Sequence, residues 1–344
     1  MSGSLRLELA FLVACGAALL LTPVTIAIAR RTGFYDVPVG YKGHLSPTPY
    51  LGGAAVVAAL VLSAALFGHA AGAFWPIVTG ALVLWILGTL DDRIAIEPLP
   101  RLAIEVVAAC ALFAAGVGWS VFPSEALNLA LTVVFVTGVV NAYNLMDNMD
   151  GATGTVAMVS AAILGLLAAA HGDVALGAVS LALAGACAGF LPFNLASPSR
   201  VFLGDGGSVP IGFVIAATIM ALPGGRGLGW ALIPLAVVLV GLPALDTALV
   251  IVSRKRRGVG IFTGGRDHLT HRLRARLGSP RRVAMALATG QAFLCGAGAV
   301  LYEFRDSLAM AGSLTLILIG ILVVALLESP EWAPAPEAAT ETST

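Results

Sequence analysis

The stretch NAYNLMDNMDG, residues 141–151, sets Asn144, Asp147 and Asp150 three apart, so on a helix successive members share one face. Such side chains offer hard oxygens of the kind Mg2+ takes, usually one or two carboxylates completed by water and phosphate. In GTLDDR, residues 88–93, Asp91 and Asp92 are adjacent. Neighbouring carboxylates repel, which either raises one proton affinity toward a useful base or calls for a shared cation. In VFLGDGGS, residues 201–208, glycines flank Asp205 where a helix would begin, an arrangement suited to metal and phosphate together. The segment 253–282 is dense in arginine, which suits phosphate, and His268 and His271 share a helix face beside Arg272. A zinc site at these histidines is possible, but the segment offers it no cysteine partners, and phosphate contact is preferred. Lys42 and His44, in DVPVGYKGHLSPTPYLGG, could also reach a phosphate. Each stretch also has a plainer reading, as a polar helix cap, a hydrated loop, or charge placed by topology alone. Asp246 fits a site member and an ion-pair partner equally well.

The elements that must hold these groups are apolar. The chain of 344 residues is 58% hydrophobic and 11% charged, with a mean hydropathy of +0.95. Soluble domains carry about 25% charged residues, so an integral membrane protein is expected. About eleven apolar stretches approach the roughly 20 residues that cross a bilayer. They run 5–29, 50–68, 73–90, 101–118, 124–142, 152–170, 173–193, 207–223, 229–251, 282–303 and 306–327. The fold class is therefore an all-α bundle of 10–11 transmembrane helices, one domain over 1–330. Its loops on one side are 30–49, 91–101, 141–152, 194–206 and 252–282, and a Pro/Ala/Glu/Thr-rich tail, 331–344, is expected to be disordered. The four cysteines fall inside apolar stretches and imply no disulfide framework.

Lysine and arginine orient the bundle. These five loops hold three, two, none, one and ten of the nineteen, leaving only Arg6, Arg226 and Arg305 on the other side. The positive-inside rule then places the N-terminus outside and the C-terminus in the cytoplasm. Eight of the ten aspartates fall on that same cytoplasmic rim, all but Asp173 and Asp306. Acids contribute little to topology, and carboxylates at membrane depth are costly, so a one-sided cluster points to function. An ion-coupled transporter would place acids near the midplane with access from both sides. The one-sided cluster favours an enzyme that brings a divalent cation to an anionic substrate, and it disfavours a metal-free lipid scaffold.

In this order, DVPVGYKGHLSPTPYLGG, GTLDDR, NAYNLMDNMDG, FLGDGGSVPIGF and RDHLTHRLRARLG resemble the motifs of the polyprenyl-phosphate N-acetylhexosamine-1-phosphate transferases, the MraY/WecA-like glycosyltransferases of family 4. The resemblance spans about residues 36–278 and lies closer to the WecA-type branch. It implies Mg2+ (with Mn2+ as a substitute), a UDP-amino sugar donor, a polyprenyl phosphate acceptor within the bilayer, and a bacterial inner-membrane enzyme working on the cytoplasmic face. It is compatible with a homodimer and involves no nucleic acid. The implied product is a polyprenyl-diphospho-sugar, most simply carrying GlcNAc, which initiates a cell-envelope glycan. The MraY-type alternative would transfer phospho-MurNAc-pentapeptide.

By motif position, Asp91, Asp92 and Asp147 match the catalytic acids, and Asp205 and Asn144 match metal ligands. Asp150 and Phe202 match the uracil site, and His268, His271, Arg272 and Lys42 match phosphate contacts. The sequence departs from the family pattern in three places. The histidine loop reads HLTH rather than HxHH or HHH, with Thr270 in the middle. Asn148 stands where the DG of the acid segment has glycine. The spacing before FLGD is one residue longer, so Asn194 receives no role. If position 270 is only a spacer, Thr270→His is tolerated.

Overall fold

The computed structural model describes residues 1–36, 47–69, 72–223, 229–261, 263, 265–304 and 306–332. Lys42 and His44 lie outside them. The chain is almost entirely helical: α1 (Gly3–Thr32), α2 (Gly52–Phe67), α3 (Phe74–Ile94), α4 (Pro98–Ala114), α5 (Glu125–Met146), α6 (Ala152–Ala170), α7 (Val174–Asn194), α8 (Asp205–Ala221), α9 (Leu232–Val240), α10 (Leu242–Arg257), α11 (Leu269–Leu277), α12 (Pro280–Tyr302) and α13 (Asp306–Leu327). A two-residue antiparallel ladder, β1 (Tyr35–Asp36) with β2 (Thr48–Pro49), departs from the all-α expectation and closes the chain between α1 and α2.

Every expected apolar stretch is helical, but they differ in reach. Among the described residues, by length and composition seven helices can cross a membrane (α1, α3, α5, α6, α7, α12 and α13), and an eighth is counted if α9 and α10 form one broken span. The remaining three, α2, α4 and α8, are 16, 17 and 17 residues long. The protein is a multi-pass membrane protein with fewer full-length spans than the eleven stretches suggest. The central member is α7, buried along most of its length against α1, α2 and α6. α13 turns Leu314, Leu318, Ile321 and Leu322 outward, as a lipid-facing helix should.

The helix ends alternate. Backbone and side-chain bonds gather the C-terminal ends of α1, α3, α5 and α7 with the N-terminal ends of α2, α4, α6, α8 and α12 on one rim. Thus Arg93 donates to the Gly33 carbonyl, Gly52 N–H to the Phe202 carbonyl, Gly151 N–H to Asn194 Oδ1, and Arg281 Nε to the Leu195 carbonyl. On the same rim, α11 is secured to the end of α13 by Arg272, which donates to the Leu327 carbonyl and to Glu328. Arg276 also stacks over Trp332 at 4.4 Å. Glu331 and Trp332, expected in the tail, are therefore part of the packed structure, and 333–344 lie outside the described residues.

The continuous apolar run 229–251 hides an 83° bend at Gly241 between α9 and α10. A break inside an apolar bundle strands backbone groups that water cannot reach. Gln291 of α12 supplies the partners. Its Oε1 accepts from Leu242 N–H at 2.8 Å, and its Nε2 donates to the Val240 carbonyl at 3.1 Å and to Ser160 Oγ at 2.7 Å.

The crossing of α3 and α8 is the closest approach that matters for the rim. A Cβ built on Gly88 would lie 2.2 Å from the Asp205 carbonyl oxygen, so only glycine lets the two backbones meet. Overpacking of this kind costs about 1–3 kcal/mol. Gly88→Ala is expected to lower the thermal midpoint in detergent, whereas Gly296→Ala, with nothing within 4 Å, is tolerated. Equal midpoints for the two variants would rule out the contact.

Candidate active site

The end of α3 and the start of α8 are joined by one side chain. Asp92 accepts from Asp205 N–H at 2.9 Å through Oδ1 and from Gly206 N–H at 3.0 Å through Oδ2. Gly204, with φ 73°, turns the chain so that these first-turn amides face α3. Asp92 thus satisfies two donors that a helix start leaves free, and a carboxylate also suits the positive end of the helix dipole. Its neighbour points elsewhere. Asp91 accepts from Ile96 N–H at 2.7 Å and from Arg101 at 3.1 Å. The adjacent pair is therefore split between holding α8 and facing Arg101.

Arg101 is the hub of the rim. One terminal nitrogen donates to Asp91 Oδ2 and, at 3.2 Å, to Asp205 Oδ2, and the other donates to Asn141 Oδ1 at 3.0 Å and Asn144 Oδ1 at 3.4 Å. Glu105, one turn further along α4 and 1% exposed, lies 3.6 Å from Arg101 Nε and accepts from Asn141 Nδ2. Asn144 completes the ring by donating to Asp205 Oδ1 at 2.8 Å and Ser208 Oγ at 3.1 Å. The structure thus brings Asp91, Asp92, Asn144 and Asp205 together. Arg101, Glu105 and Asn141 were not singled out in the sequence, where Arg101 entered only the charge count. The signal was present as an arginine–glutamate pair at i,i+4 inside an apolar stretch, which is costly unless used.

Asp147 caps the end of α5. Burial, with the like charges of Asp205 and Asp150 nearby, holds its carboxyl well above the usual carboxylate range. Among the described residues no three His, Cys, Asp or Glu side chains form a ready metal cage. The donors around Arg101 are all oxygens, and they already converge on a cationic group. A partial oxygen set of this kind fits Mg2+, which keeps waters and phosphate oxygens as further ligands. Phe202 lies edge-on to Tyr50 at 5.9 Å, and its backbone pairs with residues 49 and 52. Asn194 acts as a brace, accepting from Gly151 N–H and donating to the Val201 carbonyl at 2.9 Å.

The histidine loop folds back onto α10. Asp246, fully buried, accepts from His268 Nδ1 at 2.8 Å and from Leu269 N–H at 2.6 Å, so it both orients the imidazole and caps α11. His268 and His271 have ring centroids 6.0 Å apart. Thr270, fully buried, donates to Asn148 Oδ1 and is not a spacer. Arg272, expected at phosphate, is instead committed to Ser253, the Asp267 carbonyl, the Leu327 carbonyl and Glu328. Asp267 is buried, which works against its charge, but the Arg254 guanidinium outweighs burial and holds it below its ordinary value. Arg254 and Arg272 are struts of the loop.

Burial, helped by the charges of His268 and Arg266, pushes His271 down to about 4, so at neutral pH it is an uncharged imidazole. The ordinary value is about 6.5. The stability His271 contributes is therefore present above about pH 6.5 and is lost as pH falls from there toward 4. Histidine NMR should show this titration near 4, and His271→Gln should flatten that part of the pH–stability curve. A midpoint near 6.5 would place the ring in solvent.

Acids and amides on one rim of a multi-pass bundle, beside an arginine- and histidine-bearing loop, define a membrane-embedded site for anionic, phosphate-bearing groups. The chain belongs to the polyprenyl-phosphate N-acetylhexosamine-1-phosphate transferases, is nearer to their WecA-like members, and is a phosphotransferase. The family model described as glycosyl transferase family 4 matches residues 74–222, which carry Asp91, Asp92, Asn144, Asp147 and Asp205. The chain is 32% identical to the decaprenyl-phosphate N-acetylglucosaminephosphotransferase of Mycobacterium tuberculosis (strain H37Rv), covering 87% of this chain and 82% of the relative. It is 28% identical to the probable undecaprenyl-phosphate N-acetylglucosaminyl 1-phosphate transferase of Bacillus subtilis (strain 168), covering 79% and 78%. Identity is also 28% to the undecaprenyl-phosphate alpha-N-acetylglucosaminyl 1-phosphate transferase of Escherichia coli (strain K12), covering 80% and 78%.

Proposed function

We propose that the protein transfers GlcNAc-1-phosphate from UDP-GlcNAc to a polyprenyl phosphate, releasing UMP, at the cytoplasmic face of a bacterial inner membrane. The observation that carries this reading is the convergence of Asp91, Asp205, Asn141 and Asn144 on Arg101, in a chain whose relatives are named for that transfer. In the net reaction an oxygen of the lipid phosphate bonds to the phosphorus that carries the sugar. The bond to the uridylate phosphate breaks, and UMP leaves with the electron pair.

The chain's own residues divide that work. Asp92 holds the start of α8 so that Asp205 faces Arg101. Asp91 lies where it can orient the incoming lipid phosphate or take its proton. Arg101 is an always-charged fork, suited to the growing negative charge between donor and acceptor. Asp205 and Asn144 would hold Mg2+, which when bound neutralises the diphosphate. Asp147 keeps the α5 end acidic beside them. Asp150 and Phe202 would take the uracil, while His268 and His271 would meet the diphosphate, Lys42 adding charge from the first loop. Arg272 serves by fixing the loop.

Purified protein with polyprenyl phosphate is expected to release UMP from UDP-GlcNAc, to stop with EDTA and to resume with Mg2+. Asp205→Asn should abolish turnover while the thermal midpoint is retained. Robust formation of lipid-linked MurNAc-pentapeptide would replace this reading with the MraY-type one. Near-normal turnover of Asp205→Asn at low Mg2+ would remove Asp205 from the metal site.

The sixteen lysines and arginines on the acid-bearing side support a cytoplasmic rim. A reporter fused after Thr344 should show cytoplasmic activity only. Activity outside the membrane would invert both the orientation and the face of the site.

A further inference from the structure

The two departures from the family pattern, in the acid segment and in the histidine loop, meet each other. Thr270 is the second residue of α11 and fully buried, and its hydroxyl donates to Asn148 Oδ1. Asn148 is fixed in turn. Its Nδ2 donates to the Leu145 carbonyl at 2.7 Å, in the last turn of α5, which leaves Oδ1 as the acceptor presented to the loop. The contact lies between groups assigned to the chemistry. Asn148 stands next to Asp147 and two residues from Asp150, and Thr270 stands between His268 and His271, with its Oγ1 3.4 Å from His271 Nδ1. The other anchors of α11, Asp246 and the end of α13, tie the loop to elements outside the acid segment.

We propose that Asn148 and Thr270 form a latch that sets the histidine loop against the Asp147–Asp150 turn, and that the two residues act as one positioning unit for the sugar nucleotide. The role in turnover rests on the reading given above; the contact itself does not. A buried group left without its partner is penalised, so removing either side should be costly, Asn148→Gly more so because it also gives up the bond to Leu145, and removing the Thr270 hydroxyl as well should add little. A histidine at 270 would occupy the space that Asn148 fills, so Thr270→His alone is disruptive. With Asn148→Gly beside it, that space is returned.

The test uses Thr270→Val, Asn148→Gly, Asn148→Gly/Thr270→Val, Thr270→His, Asn148→Gly/Thr270→His and, as the conservative variant, Thr270→Ser. Each is measured for UMP release across UDP-GlcNAc concentrations and for amide hydrogen exchange of residues 266–277. Thr270→Val and Asn148→Gly should each lower kcat/KM on the order of ten-fold, mainly through KM, and speed exchange of α11. The Val double variant should match Asn148→Gly alone, Thr270→Ser should stay close to the parent, and the Gly/His double should recover most of what Thr270→His loses. Additive losses in exchange overturn the latch. Coupled exchange with additive or absent effects on KM overturns its positioning role. If the parent turns over no UDP-GlcNAc, the functional reading fails, and exchange alone then decides whether the contact exists.

Discussion

One carboxylate holds the rim together. Asp92 reaches from the end of α3 and takes the first two amides of α8, which have no partner within their own helix. Because α8 begins at that contact, the position of Asp205 follows from it, and so does the geometry around Arg101. The glycine at 88 lets the two backbones come close enough for the bond. Loss of that carboxylate would free the start of α8, and with it the acid that faces Arg101 and Asn144.

Around this fixed point the charges are unbalanced. Asp91, Asp205 and Glu105 share the single guanidinium of Arg101, and two asparagine oxygens are turned toward it as well. Such a cluster in low-dielectric surroundings favours further positive charge, which is the condition a cation-dependent phosphotransfer site has to meet. The arginine-rich loop behaves differently. Arg254 and Arg272 are consumed by the loop's own architecture, so the number of arginines in a segment says little about how many are free to meet a substrate.

Much of this was legible in the sequence, and the reasons are physical. The apolar stretches became helices, 229–251 as two, because backbone in apolar surroundings must satisfy its own hydrogen bonds. Asp91, Asp205 and Asn144 stood out because polar side chains beside long apolar stretches are costly unless used. What stayed hidden depended on contacts between distant elements. Gly241 sits in an unbroken apolar run, and its bend is supported by Gln291, fifty residues away. Arg101 looked like one more positive-inside residue, and Arg272 like a phosphate ligand, because sequence gives the charge of a side chain but not its partner. Asp91 and Asp92 read as a pair, whereas the fold gives them separate work.

The clasp between α11 and the end of α13 has a consequence for the order in which the protein is made. A ribosome delivers the acids of α3, α5 and α8 early, and those ends can find one another as soon as α8 is inserted. α11 is different. Its struts Arg272 and Arg276 close on Leu327, Glu328, Glu331 and Trp332, which are synthesised more than fifty residues later. The end of the rim that carries His268 and His271 therefore lacks these anchors until α13 has been made.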